Sequence, residues 1–155
     1  MTGDRLKDFG IGFGFVVLQV VLFRHLEVYS MQADLVLIFL IWYMMHRDRS
    51  SAIVMAAALG FIQDAILDLW GLNMFSKIFI VFAGYNFLPD HAEIRRILGQ
   101  VFITVLVTSI VHNLIFLGLS SVVENYSAEF LFWRQLIGNS IYTALVATFI
   151  QLFRT

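Results

Sequence analysis

Apolar residues along the chain form six stretches that are separated by short polar connections. A helix that crosses the hydrocarbon core of a bilayer needs about 20 residues, each adding about 1.5 Å. The pattern therefore predicts an all-α polytopic membrane protein with a single transmembrane domain over 1–155. The six predicted spans cover about residues 7–25, 29–46, 51–71, 75–89, 97–121 and 132–153. The second span is the weakest, because its uninterrupted apolar core runs only from Leu35 to Met45.

The basic residues predict the orientation of these spans. With the N-terminus inside, the inner segments hold seven basic residues and the outer segments hold three, which agrees with the positive-inside rule. The inner residues are Arg5, Lys7, Arg47, Arg49, Arg95, Arg96 and Arg154, and the outer ones are Arg24, Lys77 and Arg134. Both termini are therefore predicted to be cytoplasmic.

Composition narrows the class of protein further. Hydrophobic residues make up 60% of the chain and charged residues 14%, whereas soluble domains have about 25% charged residues. The net charge of −1 argues against a nucleic-acid partner, which would require a clustered basic face. The chain contains no Cys, which excludes disulfides, thiol catalysis and cysteine metal sites.

Several polar side chains fall inside the apolar spans, where an ionisable group costs about 2.5–3.5 kcal/mol at the helix centre. Counting the rise along each span places a set of these groups in the outer half of the bilayer. Two interpretations remain open: the groups hydrogen-bond to one another and fix the bundle, or they form a site for a partner helix or small ligand. The residues are Gln19, Asp64, Asp68, Lys77, His112, Asn113 and Asn139.

Small residues predict where helices approach one another closely. Span one contains Gly10-x3-Gly14, the spacing of a helix-pairing motif. Span three carries a small or acidic residue every four positions, beginning with Ala52, Ala56 and Gly60. Gly138 provides a small residue in span six. These six residues are the predicted helix-packing positions.

One motif suggests an enzyme. The run Gly60-x3-Asp64-x3-Asp68 resembles the end of the metal-binding motif of membrane alcohol phosphatidyltransferases. In that family an upstream D-G-x2-A-R motif completes the site, whereas residues 48–53 here read DRSSAI. Two carboxylates are few for a divalent cation that takes about six oxygen ligands. We therefore predict a protein that is not an enzyme and has no metal or cofactor, and keep phosphatidyl transfer as a remote alternative.

Three segments together carry a family resemblance: 33–38 (ADLVLI), 60–69 (GFIQDAILDL) and 71–77 (GLNMFSK), followed by Gly84-Tyr85. They resemble the bacterial rod shape-determining protein MreD family, which shows a Pro-Asp-Leu entry to span two and Gly-x3-Gly-x3-Asp in span three. Ala33 stands in place of the Pro, and Asp64 replaces the second Gly. Asp68 is then the family carboxylate, which implies that Asp68→Ala is more harmful than Asp64→Gly.

The resemblance implies a fold like the substrate-binding S components of energy-coupling-factor transporters, in the bacterial inner membrane. It implies a non-catalytic scaffold subunit of the cell-elongation complex that maintains rod shape by binding MreC directly. Through MreC it would associate with MreB and with a RodA–penicillin-binding protein synthase, which couples it to peptidoglycan synthesis. A second candidate function is a vitamin-binding subunit of a transporter, in which the outer polar residues bind the ligand.

Overall fold

The computed structural model describes residues 2–23, 25, 31–88, 98–124 and 129–153. The described chain is built from six α-helices, which confirms the all-α prediction. They are α1 (Thr2–Leu18), α2 (Leu35–Met44), α3 (Arg49–Leu67), α4 (Leu72–Gly84), α5 (Leu98–Glu124) and α6 (Glu129–Leu152). A π-helical turn, Gln19–Phe23, continues α1, and a 3-10 turn, Tyr85–Phe87, follows α4. The predicted start of the second span and the end of the fourth fall outside the described residues, as do Arg24, Arg95, Arg96 and Arg154.

Two helices of the described chain are long and apolar enough to cross a membrane: Arg49–Leu67 and Leu98–Val122. Helix α2 is apolar but has only 10 residues. At about 1.5 Å per residue it extends about 15 Å, half of a hydrocarbon core of about 30 Å. The second predicted span is therefore not one continuous helix, because residues 32–34 at its start are not helical.

Helix α2 lies at the centre of the bundle. Its sequence, LVLIFLIWYM, has no charged residue, and eight of its residues are buried. A helix that is apolar on every face is stable only when neighbours surround it. One core cluster joins α2 to α1, α3 and α4, and a second joins it to α4, α5 and α6. The other helices are thus arranged around α2.

Helix α3 ends earlier than the sequence predicted, and this changes the position of Asp68. The helix stops at Leu67, and Asp68 adopts a left-handed conformation with φ 56° and ψ 41°. Gly71, with φ 85°, begins α4 as its N-cap. Two left-handed residues within four positions reverse the chain direction sharply. Asp68 is therefore an exposed turn residue and not, as predicted, a polar residue within the helix of span three.

Gly60 allows the start of α4 to pack directly on α3. A Cβ atom at this position would lie 2.5 Å from Met74 Cα and 2.9 Å from Met74 N. Both are backbone atoms, so they have no side-chain freedom to move away. Ala52 and Ala56, on the same helix, are fully buried in the core. The small residues of α3 thus lie where neighbouring helices approach it.

In α1 the packed glycine is Gly12 rather than Gly10 or Gly14. A Cβ atom at Gly12 would lie 2.7 Å from Leu59 Cδ1, whereas no heavy atom lies within 4 Å of the corresponding position at Gly10 or Gly14. Two residues correspond to about 200° around a helix, so Gly10 and Gly14 face away from this contact. In α6, a Cβ at Gly138 would contact the Met31 side chain.

The end of the bundle at the α2–α3 turn is held by charged groups. Arg47 Nη2 lies 2.7 Å from Asp8 Oδ2, which joins the turn to α1. Tyr85 donates its hydroxyl hydrogen bond to the Arg47 carbonyl at 2.9 Å, which joins the same turn to the end of α4. Asp48 caps α3 by accepting hydrogen bonds from the Ser51 N–H and hydroxyl. These bonds hold the pKa of Asp48 below its usual value.

The packing at Gly60 predicts different effects of two matched substitutions. Gly60→Ala should destabilise the protein by about 1–3 kcal/mol, because the new methyl group meets backbone that cannot yield locally. Gly14→Ala should be neutral or stabilising by about 0.5–1 kcal/mol, because alanine is the better helix former and the site is open. Thermal unfolding in detergent measures both, and equal effects would contradict the close approach.

Candidate functional site

The non-helical segment before α2 has its backbone held by side chains from other helices. Gln32 N donates to Asn139 Oδ1 at 2.9 Å, and Asp34 N donates to Thr143 Oγ1 at 3.0 Å. Val36 N, in the first turn of α2, donates to Gln19 Oε1 at 3.0 Å. Non-helical backbone is tolerated inside a membrane bundle only where protein groups satisfy its donors and acceptors.

Asp34 caps α2 and carries a buried charge. Its Oδ1 accepts a hydrogen bond from Leu37 N at 2.9 Å, as expected of an N-cap aspartate. Its Oδ2 accepts from Lys77 Nζ at 2.9 Å, and Lys77 Nζ also donates to Asn73 Oδ1 at 3.1 Å. Lys77 has no exposed surface, although the sequence predicted it at the outer end of span four. The ion pair therefore joins α2 to α4 inside the bundle.

Asp64 caps helix α4 from its position on α3. Its Oδ1 accepts from Asn73 N at 3.0 Å, and its Oδ2 accepts from Met74 N at 2.9 Å. These two N–H groups belong to the first turn of α4, where a helix has no partners of its own. Gly60, one turn earlier on α3, contacts the same Met74 backbone. The pair Gly60-x3-Asp64 thus positions the start of α4.

A cavity of about 290 Å³ lies beside the non-helical segment. We call it the polar cavity. Its walls come from the π-helical turn after α1, residues 32–34, α3, α4, α5 and α6. They include apolar groups such as Phe116 and Leu117 as well as His112 and Asp34. Seven lining residues carry amide side chains: Gln19, Gln32, Gln63, Asn73, Asn113, Gln135 and Asn139.

The structure brings together four of the seven polar residues that the sequence predicted in one region. Gln19, His112, Asn113 and Asn139 line the polar cavity. Lys77 and Asp64 lie next to it, since each bonds to Asn73 at its wall. Asp68 is not among the lining residues, and it lies exposed in the turn after α3.

Sequence reasoning missed three residues that are central to the site: Asp34, Gln63 and Asn73. Two of them left a signal in the chain. Asp34 directly precedes a long apolar run, which is the position of a helix N-cap. Asn73 precedes Lys77 by four residues, which places both side chains on one helix face. Gln63 carries no such signal in the sequence.

Two buried polar groups of the polar cavity lack a hydrogen bond. Gln63 is 2% exposed, and its Oε1 atom has no partner among the described residues. His112 is 3% exposed, and neither of its ring nitrogens has a hydrogen-bond partner in the part of the chain that the structure describes. His112 Nε2 lies 3.8 Å from Asp34 Oδ2. Buried groups without partners are rare in folded proteins and require an explanation.

The two aspartates of the phosphatidyltransferase-like motif do not form a shared site. Both Asp64 oxygens already accept backbone hydrogen bonds, and Asp68 lies exposed in the turn. Within the described ranges, no group of three or more His, Cys, Asp or Glu residues is arranged to hold a metal ion. The geometry of these two residues is that of helix caps.

Comparison with protein families identifies the family of this chain. The family model of the rod shape-determining protein MreD matches residues 9–155, nearly the whole sequence. The chain belongs to the MreD family. Membership identifies a membrane protein that takes part in determining rod shape, in a family of structural proteins, and it confirms the resemblance seen in segments 33–38, 60–69 and 71–77. Comparisons with curated proteins and with solved structures found no match.

We expect substitution of Asp64, on α3, to be more harmful than substitution of Asp68, in the turn after α3. The family resemblance implied the opposite order. Asp64→Gly removes both acceptors for the first turn of α4 and should cost about 1–3 kcal/mol. Asp68→Gly should be neutral or stabilising, because glycine adopts the left-handed conformation without strain. Thermal unfolding of the purified variants and complementation of a strain lacking the protein measure both. A larger loss for Asp68→Gly would contradict the assignment.

The buried ion pair is tested by a double-mutant cycle. Lys77→Met leaves the Asp34 carboxylate buried without its cation, and such single losses cost about 3–5 kcal/mol. Asp34→Asn keeps a good N-cap residue but leaves the ammonium unpaired. The double variant should be destabilised by much less than the sum of the two single variants. Additive losses in thermal unfolding would mean that the charges do not interact.

Proposed function

We propose that this MreD-family protein is a non-catalytic membrane scaffold of the cell-elongation complex, which binds MreC directly. It crosses the inner membrane six times with both termini in the cytoplasm. Through MreC it associates with MreB and with a RodA–penicillin-binding protein synthase, and so couples rod shape to peptidoglycan synthesis. Family membership supports the role in shape, and the following features support the topology and the docking.

The charges of the bundle favour this orientation. Four basic residues lie at the end of the bundle that contains the α2–α3 turn. There Arg47 contacts Asp8 of α1. Lys77, the basic residue of α4, lies toward the opposite end of the bundle, where Asp34 neutralises its charge. By the positive-inside rule the α2–α3 turn faces the cytoplasm. The four residues are Arg5, Lys7, Arg47 and Arg49.

The observation that carries the docking proposal is an apolar groove in the side of the bundle, which we call the lateral groove. Helix α2 forms its floor through Ile38 and Trp42, α1 forms one wall through Ile11 and Phe15, and α5 and α6 form the other. Its volume is about 660 Å³. A groove of this kind leaves part of the central helix reachable from the bilayer, and the apolar face of an amphipathic helix fits it.

A partner helix suits this groove because of its mixed lining. Gln100 and Thr104 place polar groups on the α5 wall, beside apolar residues such as Val101. Helices in membranes associate through close packing and through hydrogen bonds worth about 0.6–2 kcal/mol each. We therefore assign the lateral groove to the single membrane anchor of MreC.

Cysteine cross-linking tests this docking, since the chain contains no Cys of its own. Ile103 lines the lateral groove and is 61% exposed. Ile103→Cys should form a disulfide with single cysteines placed along the MreC anchor, with a helical periodicity. The matched control is Phe79→Cys, which is 44% exposed on α4 and does not line the groove; it should give no such pattern.

Co-purification completes the test. The protein and MreC should be recovered together after detergent extraction. Failure to co-purify, with both proteins folded, would overturn the proposed function. Co-purification with cross-links at position 79 instead of 103 would keep MreC as the partner and move the docking surface to α4.

A second candidate function, the vitamin-binding subunit of a transporter, is favoured by the polar cavity alone. In the proposed topology the cavity lies in the outer half of the membrane, where such a subunit would take up its ligand. Gly10 and Gly14 provide an open face on α1 for a transport partner. Tight binding of a vitamin to the purified protein would favour this candidate over the scaffold.

A further inference from the structure

The polar cavity has the two properties of a binding site rather than of a packing defect. It is lined by four helices, by the π-helical turn after α1 and by the segment before α2, so its shape is set by the fold. It also contains buried polar atoms that the described protein leaves unsatisfied, at Gln63 Oε1 and on the ring of His112. Groups of this kind lose their hydration on folding, which points to a bound molecule that replaces it.

The lining carries no net charge. The Asp34 carboxylate is neutralised by Lys77 Nζ at 2.9 Å, inside the wall. The seven amide side chains are neutral. The carbonyl oxygens of Gln19, Asn73 and Asn139 already accept hydrogen bonds within the bundle, whereas Gln63 Oε1 has no partner among the described residues. A charged ligand would find no unpaired opposite charge here, whereas a hydroxyl group, which both donates and accepts, matches the Gln63 amide and the His112 ring nitrogens.

Size limits the ligand further. The volume of about 290 Å³ corresponds to roughly ten water molecules at about 30 Å³ each. It lies just below the range for small-molecule pockets, about 300–1,000 Å³. Beside the amides, the rings of Phe116 and His112 stack with their centroids 6.2 Å apart. Phe116 lines the cavity and offers it an apolar surface, which suits the C–H face of a ring.

We propose that the polar cavity binds an uncharged polyhydroxyl ring compound of about monosaccharide size. Gln63 donates and accepts at its hydroxyl groups, His112 completes the hydrogen bonding through its ring nitrogens, and Phe116 packs against its ring. The same chemistry occurs in a free sugar or cyclitol and in the sugar headgroup of a neutral glycolipid. This inference is independent of MreC docking, because the polar cavity and the lateral groove share no lining residue.

Binding to the purified full-length chain tests the proposal. Glucose and myo-inositol are the neutral probes, and glucuronate and glucosamine are their charged counterparts. Resonances of the His112 ring in isotopically labelled protein, assigned with a His112→Asn variant, should shift saturably with a neutral probe and at least about tenfold more weakly with a charged one. A second set of measurements uses nanodiscs with or without glucosyl-diacylglycerol. Saturable shifts with the glycolipid but not with free sugar would identify the ligand as the lipid headgroup.

A pair of glutamine variants locates the site. Gln63→Leu should weaken binding about three- to tenfold, the effect of losing one hydrogen bond, without lowering the midpoint of thermal unfolding. Gln100→Leu removes a glutamine from the lateral groove and should leave the affinity unchanged. Equal effects of the two variants would place binding elsewhere and overturn the proposal.

Absence of saturable binding would also overturn it. If neither neutral probe nor the glycolipid shifts the His112 resonances of folded protein, the cavity does not bind a polyhydroxyl ring. Preference for a charged probe would likewise contradict the neutral lining. Each of these failures is compatible with intact MreC co-purification, so the two proposals are tested separately.

Discussion

The structure depends on one constraint: the backbone before α2 is not helical, yet it lies within the bundle. Its N–H groups have no helical acceptors, and lipid offers none. Side chains from a distant part of the chain supply them, namely Asn139 and Thr143 from α6. Gln19, in the π-helical turn after α1, likewise accepts from Val36 N in the first turn of α2. This requirement explains why polar residues occur in the middle of otherwise apolar helices.

A second set of contacts follows from the first. A helix that begins inside the bundle needs a cap, and Asp34 provides it at the cost of a buried negative charge. Lys77 neutralises that charge, which requires α4 to begin at a fixed position. Gly60 and Asp64 set that position by contact and by capping. The cap of α2, the ion pair and the α3–α4 turn therefore form one connected arrangement.

The same arrangement separates two regions with different chemistry. Near the α3–α4 turn, amide groups and an internally neutralised ion pair surround the polar cavity. On the side of the bundle, α2 is left partly uncovered between α1 and α5, which creates the lateral groove. Helix α5 contributes to both: Gln100 and Thr104 line the groove, while His112 and Asn113 line the cavity. One polar stripe on a single helix thus serves both regions.

The sequence by itself determined the helical class, the membrane character, the family, and the gathering of Gln19, His112, Asn113 and Asn139. These follow from hydropathy summed over many residues and from helical rise, which need no neighbour. Tertiary structure alone decided that Gly12 is packed in place of Gly10 and Gly14, and that Asp64 is a cap while Asp68 is a turn residue. Capping and close approach depend on where another segment's backbone lies, and a linear pattern carries no such coordinates.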